Sequence, residues 1–587
     1  MIKELLNHKD LSKVKLILVI LFNLFEAFFL VSGIFLIFPF LKYLINSKQG
    51  VLTLFEQSEY QTIGMLFDKF SLPINLISLT ILAILPMVLG QFFKFVKSIN
   101  VVTLQQELVF SLRRDFLKET FKLSYLHLKQ LKVGEIANVI AAESMRVGVA
   151  LQYVLNFYSF LFIACIYGFM LIGISFKLSM VAMFLLISLP LVVKKQSKEL
   201  KHLGRIVSSS NENIQSYLIE RVKVFKKVKL LNSVDFEIKK FLKISRDFED
   251  AYLKSGKVMA LVDVVLEPLA FIISLILVVV GVDYFHLEFD KIVLFLFVIF
   301  KLNTSLRGAI QTKNQLNIYA GSYQLYKKYL DKFISNREFT FGSLKLEKIE
   351  RAISLNKVSF SYTSEKFIEN LDLEFLVGKT SALIGSSGSG KSTIIDLLLG
   401  FNIPQKGDVY FDDCVMKDLS IVEVRSKIGV VSQDAMLLYG SIRDNLLYGL
   451  FDKSEEDLRG ACDKASLLDF VDSLPNGFDT QIGEEGSLLS GGQKQRLQLA
   501  QIFLQDPEVI ILDEPTSALD SESEEVIVDT LKALHHSKTI IIIAHRLSTI
   551  MHSDNIIVMD KGELIDQGTH SQLLHNNEMY KKYFVGD

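Results

Sequence analysis

Apolar positions are concentrated in the amino-terminal half of the chain, where six long stretches consist mostly of Leu, Ile, Val, Phe and Met. At about 1.5 Å per residue, roughly 20 helical residues cross a bilayer, and most of these stretches reach that length with their flanks. The pattern therefore predicts six transmembrane helices, over Leu16–Leu41, Ile74–Phe93, Val149–Ile174, Leu178–Val193, Met259–Val282 and Ile292–Leu302.

The polar segments between these stretches indicate the orientation. Residues 94–146 and 194–257 are long, charged and poor in helix breakers, so we expect spans two to five to continue as helices beyond the membrane on one side. Lys and Arg crowd beside the span ends on that side, which the positive-inside rule makes cytoplasmic. We therefore expect a multi-pass protein of the cell (inner) membrane with a cytoplasmic amino terminus.

After Leu330 the pattern changes to short β-like runs that alternate with helices as far as Asp587. About 240 residues suffice for one soluble α/β domain. The chain is therefore predicted to hold a transmembrane domain over residues 1–330, a linker over 331–350 and a cytoplasmic α/β domain over 351–587.

Composition and charge argue against nucleic-acid binding, a disulfide framework and a zinc site. The chain has 64 Lys and Arg against 65 Asp and Glu, a formal net charge of −1, so bulk nucleic-acid binding is not expected. Its three cysteines, Cys165, Cys414 and Cys462, are scattered and suggest neither a disulfide framework nor a zinc site.

A glycine-rich loop follows a predicted buried strand, Ser381–Ile384, and precedes a helical run. In such a loop, glycines turn backbone N–H groups towards phosphates at a helix N-terminus, the lysine reaches the β and γ oxygens, and the following hydroxyl completes the Mg²⁺ shell. The pattern predicts a nucleotide-binding loop formed by Gly385, Ser386, Ser387, Gly388, Ser389, Gly390, Lys391, Ser392 and Thr393.

Two carboxylates end a second predicted buried strand, Val509–Leu512. Asp513 is positioned to hold Mg²⁺, directly or through water, and Glu514 to orient or deprotonate the attacking water. A solvated strand end is the alternative, which the phosphate loop disfavours.

Between these two motifs lies Leu489-Ser490-Gly491-Gly492-Gln493, and here the sequence resembles the ATP-binding-cassette family, specifically exporters with one membrane domain fused ahead of one cassette. The resemblance covers the whole chain and implies ATP and Mg²⁺ as cofactors. It implies a six-helix all-α transmembrane domain followed by an α/β nucleotide-binding domain. It also assigns expected roles: adenine stacking for Tyr362, a place near Mg²⁺ for Gln433, the D-loop for Ser517–Asp520 and γ-phosphate contact for His545.

The resemblance further implies a dimer. In this family Ser490, Gly491, Gly492 and Gln493 face the nucleotide held by the opposite cassette, so one chain cannot complete a site. Because this chain has a full set of motifs, a homodimer with two competent sites is the simplest assembly. The segments Ser124–Glu135 and Asn211–Glu220 resemble the coupling helices that transmit cassette closure to the spans.

Ionisable residues within or beside the spans, where charge is costly, include Glu26, Asp263, Glu267, Lys301 and Arg307. One hypothesis is that Glu26 or Glu267 neutralises Lys301 or Arg307 structurally. The other is that the two basic residues, with Lys94 and Lys97, form a cavity wall that receives an anionic head group. Six helical positions separate Lys301 and Arg307 by roughly 120°, so they cannot both point to the same spot without a local bend. We expect at least one of them to face the central cavity and the other to be available for a pair with Glu267 or Glu26.

The placement of Glu26, Pro39 and Glu267 resembles exporters that flip lipid-linked oligosaccharides and related glycolipids. The expected function is ATP-driven export or flipping of a lipid or lipid-linked saccharide by alternating access in a homodimer embedded in membrane lipids. The alternative is a multidrug or peptide exporter of the same architecture. The apolar spans exclude a non-transporting ATPase.

Overall fold

The structure is a computed structural model that describes residues 2–56, 61–186, 188–362, 367–433, 435–514, 529, 532, 534–544 and 546–584. The chain forms two compact units. The first comprises Met1–Leu123 and His127–Arg337, and the second comprises Ser124–Leu126 and Glu338–Asp587.

The first unit is built from helices, several of them much longer than a bilayer is thick. They are α1 Ile2–Leu6, α2 Lys13–Phe55, α3 Gln61–Lys69, α4 Leu76–Phe121, α5 Tyr125–Lys129 (which begins in the second unit), α6 Val133–Asn138, α7 Ser144–Ile174, α8 Phe176–Leu186, α9 Ser188–Lys223, α10 Phe225–Leu230, α11 Val234–Val279 and α12 Phe289–Ser335.

Five helical segments among the described residues are long and apolar enough to cross a membrane: Lys13–Leu44, Leu76–Phe121, Val133–Ile174, Glu267–Tyr284 and Lys291–Ser335. They correspond to predicted spans one, two, three, five and six. The predicted fourth span falls on the shorter apolar helix α8 and the start of α9, and the side chains of residues 186–195 lie outside the described part.

Two of the buried apolar clusters join several of the long helices, one within the spans and one along the helical extensions. Within the spans, Ile34, Tyr167, Leu277, Phe295 and Val298 belong to one buried cluster. A second cluster lies along the helical extensions and includes residues of α4, α7 and α12, among them Leu108, Phe116, Leu151 and Phe333. The extensions predicted from the charged segments are therefore packed helices with their own core.

A wide π turn, Val139–Glu143, interrupts the helix that leads into the third span. Such a turn leaves carbonyl groups without their usual helical partners. The Arg113 guanidinium of α4 donates to the carbonyl oxygens of Ile140, at 3.0 Å, and Ala141, at 3.1 Å. This side chain fixes the irregular turn against α4.

The second unit contains two sheets. Their strands are β1 Ala352–Phe360, β2 Ile368–Leu376, β3 Thr380–Gly385, β4 Lys406–Phe411, β5 Cys414–Val415, β6 Ile428–Val431, β7 Val509–Asp513, β8 Thr539–Ile543, β9 Asn555–Asp560 and β10 Glu563–Gly568. One sheet is antiparallel with order β2-β1-β4-β5, and the other has order β10-β9-β3-β8-β7-β6, with β10 alone antiparallel to its neighbour.

Helices cover the second sheet on both faces. They are α13 Lys391–Leu398, α14 Ile421–Ser426, α15 Ile442–Leu446, α16 Glu455–Lys464, α17 Leu468–Ser473, α18 Gly491–Gln505, α19 Leu547–Ile550, α20 His570–Asn576 and α21 Glu578–Phe584.

The central strands contain continuous apolar runs, Ala382–Ile384, Val509–Leu512 and Ile540–Ile543, because both of their faces are buried. In β8, Ile541 and Ile543 join the core shared with α13 and the antiparallel sheet, whereas Ile540 and Ile542 join the core shared with α15–α18. The carboxyl ends of β3, β6 and β7 reach the same edge of the sheet because these strands run parallel.

Candidate ATP site and membrane cavity

The phosphate loop joins the end of β3 to the start of α13, as the sequence predicts. Gly390, at the N-cap of α13, has a φ of 108°, a backbone conformation that an L side chain rarely adopts. The Ser389 hydroxyl is buried and has no hydrogen-bond partner within the described part of the chain. An unsatisfied buried hydroxyl and a helix N-terminus at one loop fit an anionic ligand.

Lys391 lies folded over this loop. Its ammonium donates hydrogen bonds to the carbonyl oxygens of Gly385, at 2.8 Å, and Ser386, at 3.1 Å. Burial lowers the pKa of the Lys391 ammonium below its usual range, while the carboxylates of Glu514 and Asp513 act in the opposite direction. The lysine therefore lies within electrostatic reach of both predicted catalytic carboxylates.

The carboxylates and Gln433 meet at the sheet edge where β6 and β7 end. Gln433 Nε2 donates to Glu514 Oε2 over 2.9 Å. Glu514 itself has a φ of 49°, and its backbone N–H donates to the Ile543 carbonyl at 2.8 Å, which anchors it to the end of β8. Sequence reasoning placed these residues near one another but did not show this hydrogen bond.

The same edge offers oxygen atoms suited to Mg²⁺. Ser392 begins α13 directly after Lys391, Asp513 is the last residue of β7, and Gln433 follows β6. Hydroxyl, carboxylate and amide oxygens are the ligands that this hard cation prefers. The donor set therefore fits Mg²⁺ bound together with a nucleotide phosphate.

Tyr362, the predicted adenine-stacking residue, follows β1 and is 43% exposed. Its hydroxyl lies 3.2 Å from Thr393 Oγ1 and accepts a hydrogen bond from Asn402 Nδ2 at 3.3 Å. Phe360 packs edge-on against the ring, with 4.9 Å between centroids. The ring is thus oriented by α13 and by Asn402, a residue that sequence reasoning missed.

The signature segment caps its own helix. Ser490 Oγ accepts from the Gln493 N–H at 3.3 Å, and the Ser490 N–H donates to Gln493 Oε1 at 2.9 Å, a reciprocal capping box at the start of α18. Ser490 and Gly491 are exposed, and Gly492 is buried. This leaves an exposed helix N-terminus at Ser490. Two other predicted elements, His545 and Ser517–Asp520, lie outside the described residues.

The first unit contains a cavity of about 360 Å³ between α2, α4, α7 and α12. Glu26 and Lys301 line it, together with Lys94. Arg307 and Glu267 are not among its lining residues. They lie 3.7 Å apart as an ion pair, and Glu267 is largely exposed. The structure therefore separates Lys301 from Arg307, as their helical spacing predicts.

The hypothesis of structural ion pairs is confirmed for Glu267, which pairs with Arg307, and is wrong for Glu26, which pairs with neither Lys301 nor Arg307. Its carboxylate forms a buried ion pair with Lys97 of α4, and the Lys97 ammonium also donates to Asn23 Oδ1 at 3.1 Å. The second sequence hypothesis, a basic cavity wall, had included Lys97, which is not among the residues that line the cavity. The Lys301 ammonium instead lies 5.6 Å from the Phe297 ring centroid.

The charged residues that line the cavity are two lysines, Lys94 and Lys301, and one carboxylate, Glu26. Lys97 compensates Glu26, whereas Lys94 and Lys301 have no carboxylate partner within the described ranges. Gln91, Thr304, Ser305 and Tyr167 add polar groups to an otherwise apolar wall. Such a lining suits an amphipathic molecule that carries negative charge.

Comparisons with known proteins agree with this architecture. The family model "ABC transporter transmembrane region" matches residues 16–306, and the model "ABC transporter" matches residues 368–517. The ATP-dependent lipid A-core flippase of Alcanivorax borkumensis is 31% identical over 517 residues, which cover 86% of this chain and 88% of that protein. The heterocyst differentiation ATP-binding protein HepA of a Nostoc species is 29% identical over 570 residues, which cover 97% and 93%.

A solved structure, of a bacterial Atm1-family ABC exporter with ATP bound, matches 98% of both chains with a TM-score of 0.83. At 23% identity this match concerns the fold. Together with the family models, it confirms the predicted class, an exporter-type transmembrane domain followed by an α/β nucleotide-binding domain.

Proposed function

Because this chain belongs to the ABC transporter family, as an exporter half-transporter with its membrane domain fused to its cassette, we propose that it exports or flips an anionic lipid or lipid-linked saccharide. ATP hydrolysis drives the transport. The cavity lined by Lys94 and Lys301 carries the proposal, because its unpaired charge is positive and its remaining wall is mostly apolar. The relative in Alcanivorax borkumensis is named a lipid A-core flippase, which supports a lipid substrate.

In the proposed cycle, different residues of the cassette bind ATP, bind Mg²⁺ and promote hydrolysis. The loop from Gly385 to Thr393 holds the phosphates of ATP, and Tyr362 stacks on the adenine. Ser392, Gln433 and Asp513 hold the Mg²⁺, which neutralises phosphate charge when bound. Glu514 orients or deprotonates the attacking water, and His545 contacts the γ-phosphate.

The working unit in this proposal is a homodimer. Within one chain, the Ser490 side chain bonds to its own helix rather than to the phosphate loop. The exposed N-terminus of α18, at Ser490 and Gly491, is suited to a phosphate held by a second cassette. ATP bound between two cassettes favours their closed arrangement, and hydrolysis resets it, so that the cavity opens alternately to each side of the membrane.

We place the protein in the cell (inner) membrane, with its amino terminus and cassette in the cytoplasm. The positive residues beside the span ends support this orientation. Head groups would then enter the cavity from the cytoplasmic leaflet, on the same side of the membrane as ATP.

Charge reversal in the cavity tests the substrate class. Lys301→Glu and Lys94→Glu should reduce ATP-dependent flipping of a fluorescent diphosphate-linked polyprenyl lipid in proteoliposomes, while basal ATP hydrolysis persists because the cassette is untouched. Lys118→Glu is the matched control, since this exposed lysine lies on α4 with Lys94 but outside the cavity.

Unchanged flipping after both reversals would contradict an anionic head group at this cavity. Transport of a lipophilic cation by the Lys94→Glu/Lys301→Glu variant would instead favour the multidrug alternative, whose pocket needs neither lysine. Joint loss of basal hydrolysis and thermal stability would assign the lysines a structural role.

A further inference from the structure

The turn between β9 and β10 lies against the phosphate loop. β9 runs parallel to β3 with Met559 opposite Gly385, so Asp560 follows directly beside the start of the loop. The two turn residues, Lys561 and Gly562, have positive φ angles of 49° and 83°. Two successive left-handed residues make the tight turn that suits a twisted antiparallel hairpin.

Two hydrogen bonds connect this turn to the loop. The Ser386 hydroxyl donates to Asp560 Oδ1 at 3.1 Å, and the Gly562 N–H donates to the Ser389 carbonyl at 3.0 Å. The contacts therefore fall on both sides of the loop's central residues, 387 and 388.

Gly562 fixes the position of the turn as well. A Cβ atom at this residue would lie 1.7 Å from the Phe367 carbonyl oxygen, so only glycine fits so close to the neighbouring backbone. The turn that follows Asp560 therefore packs directly against the Phe367 backbone.

We infer that Asp560 is a positioning residue for ATP, which acts through Ser386 to keep the backbone N–H groups of the phosphate loop in their binding arrangement. The inference rests on the proposed ATP site. A loop that is ordered before the ligand arrives loses less conformational freedom on binding, so the support strengthens nucleotide affinity. Asp560 does not act on the attacking water, so its substitution should change the rate of the chemical step little.

Kinetics of the full chain in lipid nanodiscs test this role. Asp560→Ala should raise both the KM for ATP and the dissociation constant of ADP about fivefold, the order expected for one hydrogen bond, with kcat changed less than about twofold. Asp560→Asn should remain close to wild type because its amide oxygen still accepts from Ser386.

Asp566→Ala is the matched control. Asp566 lies on the other strand of the same hairpin, and its carboxylate accepts from Asn577 Nδ2 at 3.0 Å, not from the phosphate loop. This variant removes the same charge from the same hairpin and should leave the KM unchanged.

A double-mutant cycle separates positioning from general destabilisation. Ser386→Ala, which leaves the hairpin intact, should raise the KM as much as Asp560→Ala does, and the double variant should show no further increase. Additive effects, or a wild-type KM in both single variants, would overturn the inference. Lys391→Ala distinguishes failure of this inference from failure of the proposed ATP site. If the ATP site itself is wrong, Lys391→Ala should bind ADP as tightly as the wild-type protein does.

Discussion

Gln433 and Glu514, which lie 81 positions apart in the chain, are joined by a 2.9 Å hydrogen bond from the glutamine amide to the glutamate carboxylate. The bond links the residues that follow β6 and β7, two neighbouring parallel strands. At this edge the proposed base and a proposed Mg²⁺ ligand form one hydrogen-bonded pair. Substitution of either residue should therefore alter the position of the other side chain.

Glu514→Gln should abolish steady-state ATP hydrolysis and leave ATP binding intact. An amide cannot serve as a base, and its similar shape preserves the packing at the end of β7. Phosphate release from purified protein measures the first effect, and ATP retained on the protein measures the second. Turnover near the wild-type rate would exclude Glu514 as the base.

Tyr362→Ala should weaken ATP binding by about 1–3 kcal/mol, the range for loss of an aromatic stacking surface under a base. Tyr362→Phe is the matched variant, because it keeps the ring and loses only the contacts of the hydroxyl with Thr393 and Asn402. The KM for ATP should therefore rise much more in the alanine variant. Equal KM values in the two variants would place the adenine elsewhere.

Mixed dimers test the composite site. Lys391→Ala and Ser490→Arg subunits should each be inactive alone, whereas mixed dimers should regain hydrolysis. In a mixed dimer, one site combines the intact phosphate loop of one chain with the intact signature of the other. Differently tagged subunits allow the mixed dimer to be purified and assayed. No recovery in that dimer would argue for sites completed within one chain.

The buried pair of Glu26 and Lys97 should dominate the stability of the contact between α2 and α4. Lys97→Ala leaves a buried carboxylate without its partner, which costs about 3–5 kcal/mol, whereas the double variant Glu26→Gln/Lys97→Met should regain most of that loss. Thermal unfolding in nanodiscs measures both effects.

Lys15→Ala is the control for this pair. Lys15 pairs with Glu107 at a partly exposed position on the same two helices, where an ion pair contributes at most about 1 kcal/mol. Equal losses of stability in Lys15→Ala and Lys97→Ala would show that burial does not set the strength of the pair between Glu26 and Lys97.

The elements that sequence predicted well carry local signals. The strand before the phosphate loop, the loop itself and the strand before Asp513 are continuous patterns in which every residue supports the same structure. The same locality placed five of the six predicted spans, because hydropathy accumulates along one helix.

The pairings that sequence could not predict join distant positions. Glu26 and Lys97 are 71 residues apart, and Ser386 and Asp560 are 174 apart. Which lysine meets a given carboxylate depends on how helices rotate against one another, and which turn meets the phosphate loop depends on strand order. Neither is encoded in any single window of the sequence. The sequence hypothesis was therefore right about the pair of Glu267 and Arg307 but gave Glu26 the partner Lys301 or Arg307, where packing selects Lys97.

The most direct measurement of the central claim is ATP-dependent movement of a fluorescent diphosphate-linked polyprenyl lipid between the leaflets of proteoliposomes. The wild-type chain should translocate the lipid only when ATP and Mg²⁺ are supplied on the cassette side. Glu514→Gln should not translocate it in repeated cycles. Equal movement by wild type and Glu514→Gln, or no movement by a wild-type protein that hydrolyses ATP normally, would contradict ATP-driven lipid export.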